Sequence, residues 1–126
     1  MASTDVRRYS AQARSTETFG RVLCSARTQH FVVDGPVQNG CPGEALSPAE
    51  LFLAGVATCG VELVQVIAKA ENVPVQSVSA TIEALQDRSR PVRPDISLFN
   101  RVRLEFHLTG VTQEKGTRLI DSFKRR

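Results

Sequence analysis

Residues 47–72 are apolar almost all the way round a helix. Leu51, Phe52, Leu53, Ala54, Val56, Ala57, Val61, Leu63, Val64, Val66 and Ile67 leave no broad polar face. A helix of that kind is expected to be buried, and at about 1.5 Å per residue it would be roughly 36 Å long. Its start is marked by Ser47 as N-cap, Pro48 at the first helical position and Glu50 three residues after the cap, which together make a capping box. Asn72-Val73-Pro74 ends it, because the residue before a proline resists the helical region.

On both sides of this helix the pattern is strand-like. Residues 19–24 and 30–33 are short apolar runs joined through Ser25-Ala26-Arg27 and predict an antiparallel pair, although the join lacks an Asn-Gly or Asp-Gly signature. Asp34-Gly35-Pro36 closes the second run, and residues 38–46 form a loop rich in Gly and Pro. After the helix, Val78, Ala80, Ile82 and Ala84 alternate with Ser79, Thr81 and Glu83, and Val102, Leu104, Phe106 and Leu108 alternate with Arg103, Glu105 and His107. Both runs predict half-buried strands with one wet face. Pro91 and Pro94 exclude a regular element between them, while Ile96 and Leu98, in phase with Val102, suggest an early start for the second strand. Thr112 caps a shorter helix whose apolar side is Leu119, Ile120 and Phe123. Residues 1–16, polar, basic and without period, are expected to be a flexible arm ahead of a single domain over 17–126. The order strand, strand, helix, strand, strand, helix defines an α+β class, with the long helix buried against antiparallel sheet.

Composition narrows the choice of function. A length of 126 residues suits one core, and the net charge of +3 is carried by scattered arginines. Lys124-Arg125-Arg126 is expected to be a solvated end, with no nucleic-acid partner. Glu50, Glu62, Gln65 and Lys69 argue against the long helix crossing a membrane, and the N-terminal residues lack the apolar core of a secretory signal. Three cysteines without repeated spacing and two histidines predict neither a disulfide framework nor a metal site, and no cofactor is indicated. The expected location is a reducing cytoplasm.

Cys59, near the middle of the long helix, is the first candidate for chemistry. By position alone it would be an ordinary small buried residue. A reactive thiolate there needs a cation from another segment, since the helix N-terminus acts only over its first turn, and an arginine fits that role. Cys41, in the Gly/Pro loop, is expected to be exposed, and Cys24 to be a structural strand residue. His107 is expected to face solvent, with no serine or cysteine spaced from it as in a known triad.

The segments HFVVDGP (30–36), SPAELFLAGVATC (47–59) and GVELVQV (60–66) resemble the OsmC/Ohr family, the osmotically inducible protein C and organic hydroperoxide resistance proteins. The resemblance is specific at S-P-x-E-L-x-L-A-x-x-x-x-C and extends from about residue 18 onward. It implies an intertwined homodimer in which a long central helix packs against curved antiparallel sheets. It also implies that Cys59 attacks an organic hydroperoxide and becomes a sulfenic acid, the first step of the cysteine oxidation ladder. In the family a second cysteine, in a Cys-Pro motif, resolves that sulfenic acid to a disulfide, and thiols or a lipoyl carrier reduce it. An arginine holds the thiolate, and a glutamate near the helix start orients the arginine. Carried onto this chain, the match is uneven. Cys59 corresponds, the place directly after the proline is Ala49 with the glutamate displaced to Glu50, and Arg21 and Arg27 both remain candidates for the arginine. The chain ends after Phe123-Lys124-Arg125-Arg126, where the Cys-Pro motif would begin, so resolution is expected to fall to Cys41, Cys24 or an external thiol. The alternative implication is a divergent, non-catalytic dimer that binds a small apolar ligand between its subunits.

Overall fold

Cross-strand register organises residues 12–34 of the structure, a computed structural model that describes residues 5–125. The chain divides into two units, Met1–Leu51 and Phe52–Arg126. In the first, β1 (Gln12–Ser15), β2 (Arg21–Ala26) and β3 (Gln29–Asp34) form an antiparallel sheet in that order. Strand β1 corrects part of the expected arm, because Gln12 to Ser15 pair in register with Ser25 to Val22. All four of its residues are exposed, so no apolar alternation marks it, and its support is the ladder to β2. Residues 1–4 of that arm lie outside the described residues. The β2–β3 connection is a two-residue turn in which Arg27 takes φ 53°, a left-handed conformation that costs a non-glycine residue about 1–2 kcal/mol. Residues 35–46 carry the chain from β3 to the long helix through a single 3-10 turn at Val37–Asn39.

Helix α1 (Pro48–Ala70) begins at the end of the first unit and runs on into the second. It ends as the Asn72-Val73-Pro74 signal predicts. Asn72 is left-handed at φ 56°, Val73 N–H donates to Ala68 C=O at 2.8 Å and Asn72 N–H donates to Lys69 C=O at 3.3 Å, a Schellman closure. The second unit continues with β4 (Ser77–Leu85), β5 (Arg101–Thr109) and α2 (Gln113–Lys124). Strands β4 and β5 pair antiparallel from Ser77↔Thr109 to Leu85↔Arg101, and β4 alternates exposed and half-buried along its whole length, as its sequence alternates. Strand β5 starts at Arg101, not near Ile96, because its ladder stops where β4 ends at Leu85. The Thr112 hydroxyl accepts from Lys115 N–H at 3.2 Å and starts α2 as expected.

The core of this unit joins α1 and α2 over one face of the β4–β5 hairpin. Val64, Ile67, Ala68 and Leu119 are buried, and Val78, Phe106, Leu108, Ile120 and Phe123 pack against them. Full burial of a side chain such as Val64 or Leu119 contributes about 1.5–3 kcal/mol. Phe106 and Phe123 meet nearly edge to face, with ring centroids 5.2 Å apart and planes at 70°. Gly60 makes this packing possible, since a Cβ there would fall 2.8 Å from Cζ of Phe106. Along α1 only Gly60, Val64, Ile67 and Ala68 are buried, so the apolar girth read from sequence divides into one covered face and one open one. By length and composition alone α1 also qualifies as a membrane span, a test that the core helix of a soluble domain passes equally.

Candidate functional site

The open face of α1 is a stripe. Phe52, Val56, Cys59, Leu63 and Val66 recur at alternating steps of four and three residues, which places them on one side of the helix. Phe52 is 61% and Val66 47% exposed, and Leu63 is half-buried. Cys59 is a free, exposed thiol, contrary to its expected burial. The buried face belongs to Gly60, Val64, Ile67 and Ala68, and Cys59 is not on it. Beside the stripe, Ala57, Thr58, Val61, Glu62 and Gln65 of α1 and Ala80 of β4 line an open hollow of about 340 Å³. Thr58 is turned back onto its own helix, its hydroxyl donating to Ala54 C=O at 2.6 Å.

Glu50 closes the capping box read from the sequence. Its carboxylate accepts from Ser47 N–H at 3.0 Å, and Glu50 N–H donates to the Ser47 hydroxyl at 3.2 Å. The Ser47 backbone N–H, and then the Ser47 side chain, hold the Glu50 carboxyl below its ordinary value.

Of the two candidate arginines, Arg21 is fully engaged within the first unit. Its Nε and one terminal nitrogen donate to the two carboxylate oxygens of Asp34 at 2.9 Å each, and that nitrogen also reaches Glu44 at 2.8 Å. Asp34 is fully buried and also accepts from the backbone N–H groups of Glu44 at 3.0 Å and Ala45 at 2.8 Å. The Arg21 fork, then the Ala45 N–H, hold the Asp34 carboxyl far below the usual carboxylate range, and the Asp34 hydrogen bond raises Arg21 in turn. Asp34 was not among the candidate site residues read from the sequence. The signal lay in register, because Arg21 and Asp34 stand directly opposite each other at the open end of the β2–β3 pair. Arg27 occupies the exposed turn at the other end of that pair.

Cys41 is half-buried, not exposed as its loop suggested. A Cβ on Gly20 or Gly35 would collide with its side chain, so two glycines form its seat, and its thiol donates weakly to Asn39 C=O at 3.9 Å. Cys24 is half-buried in the middle of β2, opposite Phe31. His107 is exposed on β5. Among the described residues no group of three His, Cys, Asp or Glu side chains is placed to hold a metal ion.

The family described as OsmC-like protein matches residues 41–126. The chain belongs to the OsmC-like family. Its fold is similar to that of an OsmC-like protein from Mycoplasma pneumoniae, with a TM-score of 0.81 at 14% identity over 95% of this chain and 82% of that one. An organic hydroperoxide resistance protein from Legionella pneumophila has a TM-score of 0.73 at 24% identity over 95% of this chain and 84% of that one. A second such protein, from Elizabethkingia anophelis, has a TM-score of 0.70 at 19% identity over 98% of this chain and 85% of that one. No curated protein sequence matches the chain. These likenesses establish the OsmC/Ohr fold, with its long central helix and antiparallel sheets.

Proposed function

We propose that this OsmC-like chain is a thiol-dependent peroxidase that reduces organic hydroperoxides through Cys59. The observation that carries the reading is the exposed Cys59 thiol on an apolar helical stripe, at the position where the family motif ends. An apolar hydroperoxide lies along the stripe, and the Cys59 thiolate attacks its distal oxygen. An S–O bond forms as the O–O bond breaks, the alcohol leaves with a proton, and the sulfur is oxidised by two electrons to a sulfenic acid. An external thiol, small or lipoyl-borne, then displaces water to form a mixed disulfide, and a second thiol releases Cys59. External resolution is favoured by the half-buried positions of the other two cysteines, Cys41 seated between glycines and Cys24 within a paired strand. Glu50 serves the reaction as a positioning residue, through the cap that fixes the start of α1. The stripe is the seam of a homodimer, the residues from β1 onward act as one functional domain, and the protein works in the cytoplasm.

The test is hydroperoxide reduction with a dithiol donor. Cys59→Ser abolishes it, and equal turnover in wild type and variant would sink the reading. The second reading, a non-catalytic dimer binding a small apolar ligand, is favoured by one observation: two carboxylates already occupy Arg21. Intact mass after mild peroxide separates the two. One added oxygen or a disulfide at Cys59 belongs to the peroxidase, and an unmodified thiol under excess peroxide belongs to the binder.

A further inference from the structure

Fifteen residues, 86–100, join β4 to β5, although the two strands pair to their last residues and a hairpin closes with about two to five. Loops of this length without secondary structure are uncommon unless they have work to do. This one has a definite construction. Asn100 anchors both sides of it, donating its N–H to Leu85 C=O at 2.7 Å and its side-chain amide to Arg90 C=O at 2.6 Å, and accepting Asp87 N–H at 2.6 Å. Asp87 in turn accepts from Ser89 N–H at 3.0 Å, and Phe99 packs on Phe52 of α1 with ring centroids 6.3 Å apart.

The loop also concentrates charge. Arg88, Arg90, Arg93, Arg101 and Arg103 stand against Asp87 and Asp95 within residues 86–103, so this segment carries the whole net charge of +3 while the rest of the chain is balanced. Arg93 pairs with Asp95 and Arg103 with Glu105. Arg88, Arg90 and Arg101 have no carboxylate partner among the described residues. Among these charges Val92, Ile96 and Leu98 are exposed, and Ile96 and Leu98 share with Arg88 and Arg93 the lining of a hollow of about 240 Å³.

We propose that the β4–β5 loop is a docking surface for an acidic protein segment, whose carboxylates engage Arg88, Arg90 and Arg101 while an aliphatic side chain fills the hollow. Guanidinium groups match carboxylates two atoms to two, and the exposed aliphatic side chains of Ile96 and Leu98 beside the arginines suit a peptide that carries both carboxylates and apolar side chains. A single-stranded nucleic acid would need an aromatic platform, and the aromatic of this loop, Phe99, is already turned onto Phe52. An anionic bilayer presents a flat sheet of charge, whereas Ile96, Leu98, Arg88 and Arg93 line a hollow that takes a single side chain. A surface of this size supports a transient complex that strengthens at low salt. It does not depend on the Cys59 chemistry.

Fluorescence anisotropy with a labelled peptide of alternating glutamate and leucine tests the assignment. Binding is expected at about 50 mM NaCl, to weaken at about 500 mM, and to fall by at least about tenfold in the double variant Arg88→Glu, Arg90→Glu. Arg118→Glu, on α2, and Cys59→Ser leave it unchanged. The milder pair Arg88→Gln, Arg90→Gln gives an intermediate loss and serves if the charge-reversed chain fails to fold. Equal affinity in wild type and both double variants overturns the proposal, as does tighter binding to phosphatidylglycerol vesicles or to oligothymidylate than to the peptide.

Discussion

Arg21 and Asp34 face each other across the open end of β2 and β3, and the arginine closes a two-point fork on a carboxylate that has no exposure to solvent. The remaining acceptor capacity of Asp34 holds the backbone of Glu44 and Ala45. One ion pair therefore ties the β2–β3 hairpin to the segment that leads into α1. Removing one partner of a buried pair leaves the other uncompensated. Asp34→Asn is expected to lower the melting temperature by on the order of ten degrees, and circular dichroism melts check it. A variant that melts with wild type would show that the fork contributes nothing.

The same pair predicts a pH signature. The Asp34 carboxyl is held far below its unfolded value of about 3.9. The unfolded chain therefore binds a proton there before the folded chain does, and stability rises with pH through that range. The contribution is complete above about pH 5 and is lost as the pH falls from the unfolded value toward the folded one. The stability gap between wild type and Asp34→Asn, read from urea midpoints, should stay constant above about pH 5 and narrow below about pH 4. A gap that widens in acid contradicts the assignment.

Two glycines in α1 should respond in opposite directions to alanine. At Gly55 no atom lies within 4 Å of an added Cβ, so Gly55→Ala gains helix propensity of about 1 kcal/mol. At Gly60 the same gain is outweighed by overpacking against Phe106 and Phe123, which costs about 1–3 kcal/mol. Chemical denaturation of the two single variants measures the difference, and equal shifts would falsify the close approach at Gly60.

Ser47→Ala removes the hydroxyl that accepts from Glu50 N–H and should destabilise the start of α1 by about 0.5–2 kcal/mol, with Ser47→Asp close to wild type. Hydrogen exchange should show the loss confined to the first turn of α1. Faster exchange spread evenly along the helix would point to some other role for Ser47.

If the stripe on α1 is the seam of the proposed homodimer, Val66→Glu places a charge in it. Sedimentation should then show the variant dissociating at concentrations at least about tenfold higher than wild type. Indistinguishable association in the two chains would move the dimer contact elsewhere.

Much of this was legible in the sequence because the main signals were local. The capping box at Ser47 and Glu50, the stop at Asn72-Val73-Pro74 and the alternation of β4 were read within single elements, and each formed as expected. What escaped depended on contacts between elements. Strand β1 has no apolar pattern and exists through its ladder to β2. The start of β5 was set by the length of β4, not by the phase of Ile96 and Leu98. Asp34 looked like a strand-ending turn residue until register placed Arg21 opposite it. Exposure of Cys59 was hidden for a related reason, since a helix apolar all round does not announce which face its neighbours will cover.

The contact at Gly60 has a consequence for direction. Successive helix residues advance by about 100°, so once the position without a side chain is pressed to the Phe106 ring, the bearing of every other residue around α1 is set. Cys59, one step back, is turned about 100° from that contact and is exposed. Gly60 thus works like the index mark on a dial, and a residue that carries no functional group decides where the sulfur points.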